Sequence, residues 1–348
     1  MSQTEQRKRE HIKISLEENI SAHHNYWDDV TLIHNALPEI NEHDINLKIE
    51  LFGKRLEAPL IISAMTGGYS EGKKINENLA AAAEKFKIGM GVGSQRAALE
   101  NEQLKETYSV INNYDIPLKI ANIGASQMVL WDEDKILENA EKIVDMIDAD
   151  VLAVCLNFLQ EVVQPEGETH AKGCLDRIDM LSRNFEKPIL IKESGAGISY
   201  DVAKRLMKTN IAGIDVGGAG GTSFSAVEYY RAKFKEDLYN MREGKTFWDW
   251  GIPTPESILE VGEATNWKMP IISTGGIRNG LDAAKALSLG ANAAGIAHAL
   301  LEAATKDKES TIFELDLIIK ELRTAMFLVG ADDVKKLSDV EWNYGLEI

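Results

Sequence analysis

Eight short runs rich in Val, Ile and Leu recur along this sequence, each followed by a stretch with helical spacing, and that alternation limits the possible folds more than any other feature. The runs are Leu60–Ser63, Ile88–Gly93, Pro117–Ile123, Val151–Leu156, Pro188–Lys192, Ile211–Val216, Pro270–Thr274 and Ala291–Ala297. Between them, apolar residues at helix spacing predict helices, first through Ile75, Leu79, Ala82 and Phe86, then around 99–111, and at 134–147 through Ile136, Ala140, Ile143 and Ile147. Further helices are predicted at 174–185, 199–208, from Ser223, at 280–289 and on to about residue 329. Near-continuous apolar strands suit a parallel sheet buried on both faces. Eight βα units over roughly 250 residues predict an α/β protein with a (β/α)8 TIM barrel. A doubly wound open sheet is the structural alternative.

The expected organisation is an N-terminal arm or cap at 1–57, the barrel at 58–330 and a C-terminal tail at 331–348. Residues 234–268 read as a long unstructured insertion after the sixth strand, carrying Trp248 and Trp250 and packing near the barrel mouth.

Charge narrows the partners. A net charge of −17 repels phosphate backbones, so nucleic acid is not an expected partner. Any anionic small substrate then needs local positive charge. Cys155 and Cys174 are the two cysteines and lack CxxC spacing, which fits a reducing compartment. The start, MSQTEQRKREHIKI, has no apolar signal core, and no run approaches the ~18 residues of a membrane span. The expectation is a cytoplasmic protein without a membrane partner.

In a TIM barrel the chemistry sits where strands end, and here nearly every end is polar or glycine-rich. Gly220-Gly221-Thr222 and Gly275-Gly276-Ile277-Arg278 each precede a helix, where backbone N–H groups can hold an anion. Tight turns alone would explain one such loop. Two adjacent loops with Arg278 favour a phosphate site. Lys192 closes the fifth strand and reads either as a surface lysine paired with Glu193 or as a fixed positive charge facing a cofactor ring. Thr66, Ser94 and Asn122, on neighbouring strand ends, suit hydrogen bonds to the same flat heterocycle. Arg7, Lys8 and Arg96 form a second basic group that could clamp a diphosphate, although a solvated charge run is the commoner meaning of Arg7–Arg9. The fourth run turns polar at Asn157, Gln160 and Glu161, and a carboxylate there could hold Mg²⁺, which prefers oxygen ligands. No HExxH, GxSxG or GxxxxGK[ST] pattern occurs.

The stretches RKREHI (7–12), MTGG (65–68), GVGSQR (91–96), ANIG (121–124), LNFLQEVVQPEGE (156–168), KESGAGIS (192–199), GGAGGT (217–222), DWGIPT (249–254) and STGGIR (273–278) occur in one order. Together they make the chain resemble the type 2, FMN-dependent isopentenyl-diphosphate delta-isomerases over nearly its whole length. The resemblance implies conversion of isopentenyl diphosphate to dimethylallyl diphosphate by proton addition and removal over reduced FMN, with Mg²⁺ anchoring the diphosphate and NADPH as flavin reductant. It places Ala64, Met65, Thr66, Ser94, Asn122, Lys192 and Thr222 around FMN. Gly275, Gly276 and Arg278 would hold its phosphate, with Ala297 and His298 beside them. Arg7, Lys8, His11, Ser94, Gln95, Arg96, Asn157 and Gln160 would meet substrate, Gln160 as the catalytic relay, and Glu161 would ligate Mg²⁺. It also implies a homo-oligomer, tetramer or octamer.

Two positions depart from the family pattern. Cys155 stands where the family usually has His, and Gly217 where it often has Ser. The competing readings are another FMN barrel oxidising hydroxy acids or nucleotides, and a flavin- or phosphate-binding protein without turnover.

Overall fold

In the computed structural model, which describes residues 3–345, eight parallel strands close into a barrel. They are β1 (Leu60–Ile62), β2 (Gly89–Gly91), β3 (Leu118–Gly124), β4 (Val151–Cys155), β5 (Ile189–Lys192), β6 (Gly213–Asp215), β7 (Ile271–Ser273) and β8 (Ala293–Ile296). Each pairs with its sequence neighbours, and β8 pairs with β1, so no edge is left. All eight predicted runs are strands, and the open-sheet alternative is excluded. The strands are buried on both faces, which is why they read as continuous rather than alternating.

The register aligns the strand ends: Gly124 lies opposite Cys155, Cys155 opposite Lys192, and Lys192 opposite Asp215. Polar side chains are thereby set in one layer at the mouth.

Residues 3–57 reach both ends of the barrel. A helix at Gln3–Glu17 lies at the mouth, packed on the helix Phe224–Phe234 through Ile14, Ala226 and Val227. At the other end an antiparallel hairpin, Ile49–Leu51 with Lys54–Leu56, plugs the barrel, its Leu51 and Leu56 clustering with Ile61, Leu118, Val151 and Leu190. Its turn places Phe52 and Gly53 both at positive φ, as a two-residue hairpin loop demands. Farther along, Val30–Leu32 pairs with Trp342–Tyr344, tying arm to tail. Residues 1–2 of the arm and 346–348 of the tail lie outside the described residues.

Two local expectations are corrected. The helix expected at 99–111 is broken into Arg96–Glu100, Glu102–Leu104, Glu106–Ser109 and Val110–Asn113. Asn101 causes the break: it is extended, with φ −142°, and its side chain accepts from the Gln103 N–H, ending one helix and capping the next turn. The segment 234–268 is not unstructured. It holds helices Leu238–Thr246, capped by Asp237, and Thr254–Thr265, which packs on the helix Tyr200–Leu206 as part of the outer ring.

Candidate active site at the barrel mouth

A cavity of about 630 Å³ opens at the C-terminal ends of β1 and β5–β8. That is within the range of small-molecule sites. Glycine loops form one side. A Cβ on Gly221 would lie 2.3 Å from the Gly276 nitrogen, and one on Gly275, at φ +112°, would lie 2.3 Å from the Gly218 oxygen. Neither loop tolerates a side chain, because backbone meets backbone. The arm stabilises the cradle: Trp27 Nε1 donates to the Gly275 carbonyl and Asn25 Nδ2 to the Gly276 carbonyl. With those carbonyls occupied, what the loop has left to offer a ligand is its amide N–H groups.

Ala64, Met65, Lys192, Thr222, Gly275, Gly276, Arg278, Ala297 and His298 all line this cavity, together with His11. Lining it and unforeseen in the sequence is Ser63, whose buried Oγ has no partner, as expected where a ligand's polar atom is to sit. Arg278 differs from expectation in one respect. Its guanidinium is held by Asp28 at 2.6 Å and by Asp282 at 2.8 Å, and these hydrogen bonds raise its pKa further. The cradle at this end is therefore mainly backbone.

Lys192 donates to the Glu193 carbonyl at 2.7 Å and lies 3.7 Å from Cys155 Sγ. Burial works against the ammonium, but Cys155, Asp215 and Glu193 around it hold its pKa above the usual lysine value. Burial in turn pushes the Cys155 thiol up, against the pull of the Lys192 charge. Asp215, raised by burial, accepts from Thr274 Oγ1 at 2.6 Å. Burial raises Glu193 to about 7 against the pull of the Ser194 and Ala196 N–H groups it accepts from. The glycine at 217 has a local reason: at φ +48°, its Cβ would lie 2.2 Å from the Glu193 oxygen, leaving no room for a serine.

The other wall of the mouth, at the ends of β2–β4 and outside the lining of this cavity, is made of side chains that hold one another. Lys8 reaches from the arm helix to the Ser94 carbonyl at 2.8 Å and to Tyr108 Oη at 3.0 Å. Burial and the neighbouring Arg7 lower its pKa to about 7. Arg96 pairs with Glu100 at 2.6 Å and Glu168 at 2.8 Å. Asn157 Nδ2 donates to Glu161 Oε1 at 3.1 Å, and the Glu168 N–H donates to Glu161 Oε2 at 2.8 Å. Asn157 and Gln160 line a narrow crevice that shares Glu193, Thr222 and Phe224 with the main cavity. His11 Nε2 donates to the Glu228 carboxylate at 2.9 Å, and burial lowers its pKa.

Gln95 belongs to neither wall. It is fully buried, its amide donates to the Ile143 carbonyl, and its Oε1 accepts from the Asn122 N–H, so its side chain braces β3 and does not face the mouth. Thr66 is buried beneath the strand end, its carbonyl accepting from the Gly93 N–H. Asn122 donates to the Val92 carbonyl, and its buried Oδ1 is unpartnered. The anchors Asn25, Trp27, Tyr108 and Glu228 were not legible in the sequence, because each acts across a long separation with no local spacing to mark it. Among the described residues no cluster of three or more His, Cys, Asp or Glu is set to hold a metal. A single carboxylate such as Glu161 remains compatible with Mg²⁺, which keeps several waters and takes substrate phosphates as ligands. No helix among the described residues is long and apolar enough to cross a membrane.

The chain matches the model of the FMN-dependent dehydrogenase family over residues 3–111 and 155–343. It is 49% identical over 332 residues to the isopentenyl-diphosphate delta-isomerase of Thermoplasma acidophilum, covering 95% of this chain and 94% of that protein. The isomerase of Picrophilus torridus is 45% identical, covering 97% and 95%. Mandelate oxidase, solved with (S)-2-phenylpropionate, superposes with a TM-score of 0.65 at 18% identity, over 98% of this chain and 97% of that one, and so shares the fold.

Proposed function

Because the chain belongs to the isopentenyl-diphosphate delta-isomerases, within the FMN-dependent dehydrogenase family, we propose that this isomerase converts isopentenyl diphosphate to dimethylallyl diphosphate at the mouth cavity with FMN and Mg²⁺ bound. The observation that carries the reading is the cavity itself, with a backbone cradle at one end and a half-buried lysine within, and with Lys8 and Arg96 beyond its lining at the ends of the neighbouring strands. This arrangement suits a flat ring with a phosphate tail beside a second anion.

Gly275, Gly276 and the loop Gly220–Thr222 would hold the FMN phosphate, and Ala64, Met65, Lys192, Ala297 and His298 would line the remainder. Thr66, Ser94 and Asn122, at or just beyond the ends of β1, β2 and β3, would support the ring, Asn122 through its unpartnered Oδ1. Reduced flavin, primed by NADPH, would supply an electron-rich face and an exchangeable proton.

The chain's own residues account for the rest. Lys192 is fixed by Cys155 and Glu193, so its charge enters the site already oriented. Arg7, Lys8 and Arg96 would meet the diphosphate, with Arg96 and Lys8 exchanging present partners for phosphate oxygens. His11 would close the substrate side from the arm. Glu161, positioned by Asn157 and the Glu168 N–H, would ligate Mg²⁺. Gln160, neutral and beside the crevice, would relay the proton between allylic carbons without adding a charge that competes with the diphosphate. Holding both ends of a short substrate converts the proton shift into a near-unimolecular event.

The test is anaerobic incubation of flavin-loaded protein with isopentenyl diphosphate, Mg²⁺ and a trace of NADPH. Dimethylallyl diphosphate should accumulate far beyond the NADPH consumed. NADPH consumption equal to turnover, or flavin binding without product, would overturn the reading.

A further inference from the structure

Arg231 lies on the helix Phe224–Phe234, is 4% exposed, and is not among the residues that line the cavity or the crevice. Its three donor nitrogens go to carboxylates on three different elements. Nε donates to Glu10 of the arm helix at 2.9 Å, Nη1 to Glu228 of its own helix at 2.6 Å, and Nη2 to Glu166, in the loop after Glu161, at 2.5 Å. A planar guanidinium presents its donors from three separate nitrogens and so spans acceptors on three elements, whereas a lysine's three N–H groups radiate from one atom. Glu228, fully buried, uses its other oxygen on His11.

The elements that meet here are the ones that carry the diphosphate side of the site. Glu10 is one helical turn from Arg7 and next to His11. Glu166 lies between Glu161 and Glu168, which are themselves joined by a hydrogen bond, and Glu168 pairs with Arg96. The arm helix is otherwise held at the mouth by Lys8, by His11 on Glu228, by exposed pairs and by Ile14. We propose that Arg231 is a positioning residue, which sets the spacing between the arm that bears Arg7 and Lys8 and the loop that bears Glu161. The inference rests on the functional reading above, in which those residues meet the diphosphate and its metal. Without Arg231, Glu10 would keep only Gln6, Glu228 only His11, and Glu166 would lose its guanidinium, leaving three neighbouring carboxylates without the cation they share. They would separate, and the arm would be the element to leave, because it is not part of the barrel.

Two readouts test this in the flavin-loaded full chain. In Arg231→Met, KM for isopentenyl diphosphate should rise about tenfold or more while kcat changes less than about threefold and FMN affinity stays the same, the pattern of lost substrate binding. Arg231→Lys should recover part of that loss. Independently of turnover, trypsin should cut at Arg7–Arg9 roughly tenfold faster in Arg231→Met, because local opening of the arm governs access. If the folded variant keeps both its KM and its trypsin resistance, the positioning role is wrong. If the unaltered protein does not isomerise at all, the functional reading falls and the trypsin comparison alone decides whether Arg231 anchors the arm. Glu10→Gln and Glu166→Gln each remove a single contact and cover the case in which Arg231→Met fails to fold. The first should speed trypsin cleavage and the second should raise the Mg²⁺ concentration for half-maximal rate, and no change in either would overturn the proposal.

Discussion

The two sides of the barrel mouth are built from different materials. On the side of β6, β7 and β8, the loops are glycines whose backbones approach within contact of one another, and their carbonyls are fixed by Trp27 and Asn25. This side is formed before anything binds and carries little formal charge of its own. On the side of β2, β3 and β4, Lys8, Arg96, Asn157, Glu161 and Glu168 are long side chains satisfied by each other. On the proposed function, binding here would be an exchange, in which internal partners give way to ligand oxygens. A backbone cradle should fail abruptly when a Cβ is added. A side-chain wall should respond in steps, with pH and with metal.

The largest effect is expected from Gly221→Ala. The new Cβ meets the Gly276 backbone, which cannot move aside as a flexible side chain could, so flavin should be lost by about 100-fold or more in affinity, read as missing flavin absorbance in the purified protein. Retained flavin would show that the cradle is looser than the structure implies. On the other wall, Glu161→Gln should leave flavin bound but lower kcat/KM by roughly 100-fold at ordinary Mg²⁺, with partial recovery at high Mg²⁺. An unchanged Mg²⁺ requirement would remove Glu161 from the metal site. Gln160→Asn, which shortens the side chain at the crevice by one methylene, should lower kcat by about 10- to 100-fold with little change in KM. Full turnover in that variant would end the relay role.

Smaller effects separate the walls further. Lys8, lowered to about 7 by burial and by Arg7, is charged below that pH and neutral above it. KM for the diphosphate substrate should therefore rise with pH above about 7, by at most about tenfold per unit, and Lys8→Arg should flatten the rise because arginine does not titrate there. The smallest effect is expected at Arg278. Its guanidinium is spent on Asp28 and the buried Asp282 and so does not reach for a phosphate, and Arg278→Gln should weaken FMN only a few-fold. A loss as large as that of Gly221→Ala would mean that Arg278 leaves its carboxylates to hold the phosphate.

Much of this protein is determined locally. The eight apolar runs, the helix spacing between them and the glycine pairs before helices are all short-range patterns, set by burial on both faces of a strand and by turns that exclude a Cβ. They are sufficient to derive the barrel, the mouth and the backbone cradle from the amino-acid order. The family motifs, read in sequence, name the reaction. Tertiary structure alone decided where side chains point and what they hold. Gln95 sits in the same motif as Ser94 and Arg96, yet it turns inward to the Ile143 carbonyl. Arg278 sits beside the cradle, yet it is claimed by Asp28, 250 residues away in the chain. Arg231 has no motif at all, and its meaning comes from Glu10 and Glu166, 221 and 65 residues distant. Periodicity records which face of an element is buried, and it carries no information on which charges from separate elements will share that buried space. That pairing is settled only when the barrel closes and brings the arm, the β4 loop and the helix after β6 to one point.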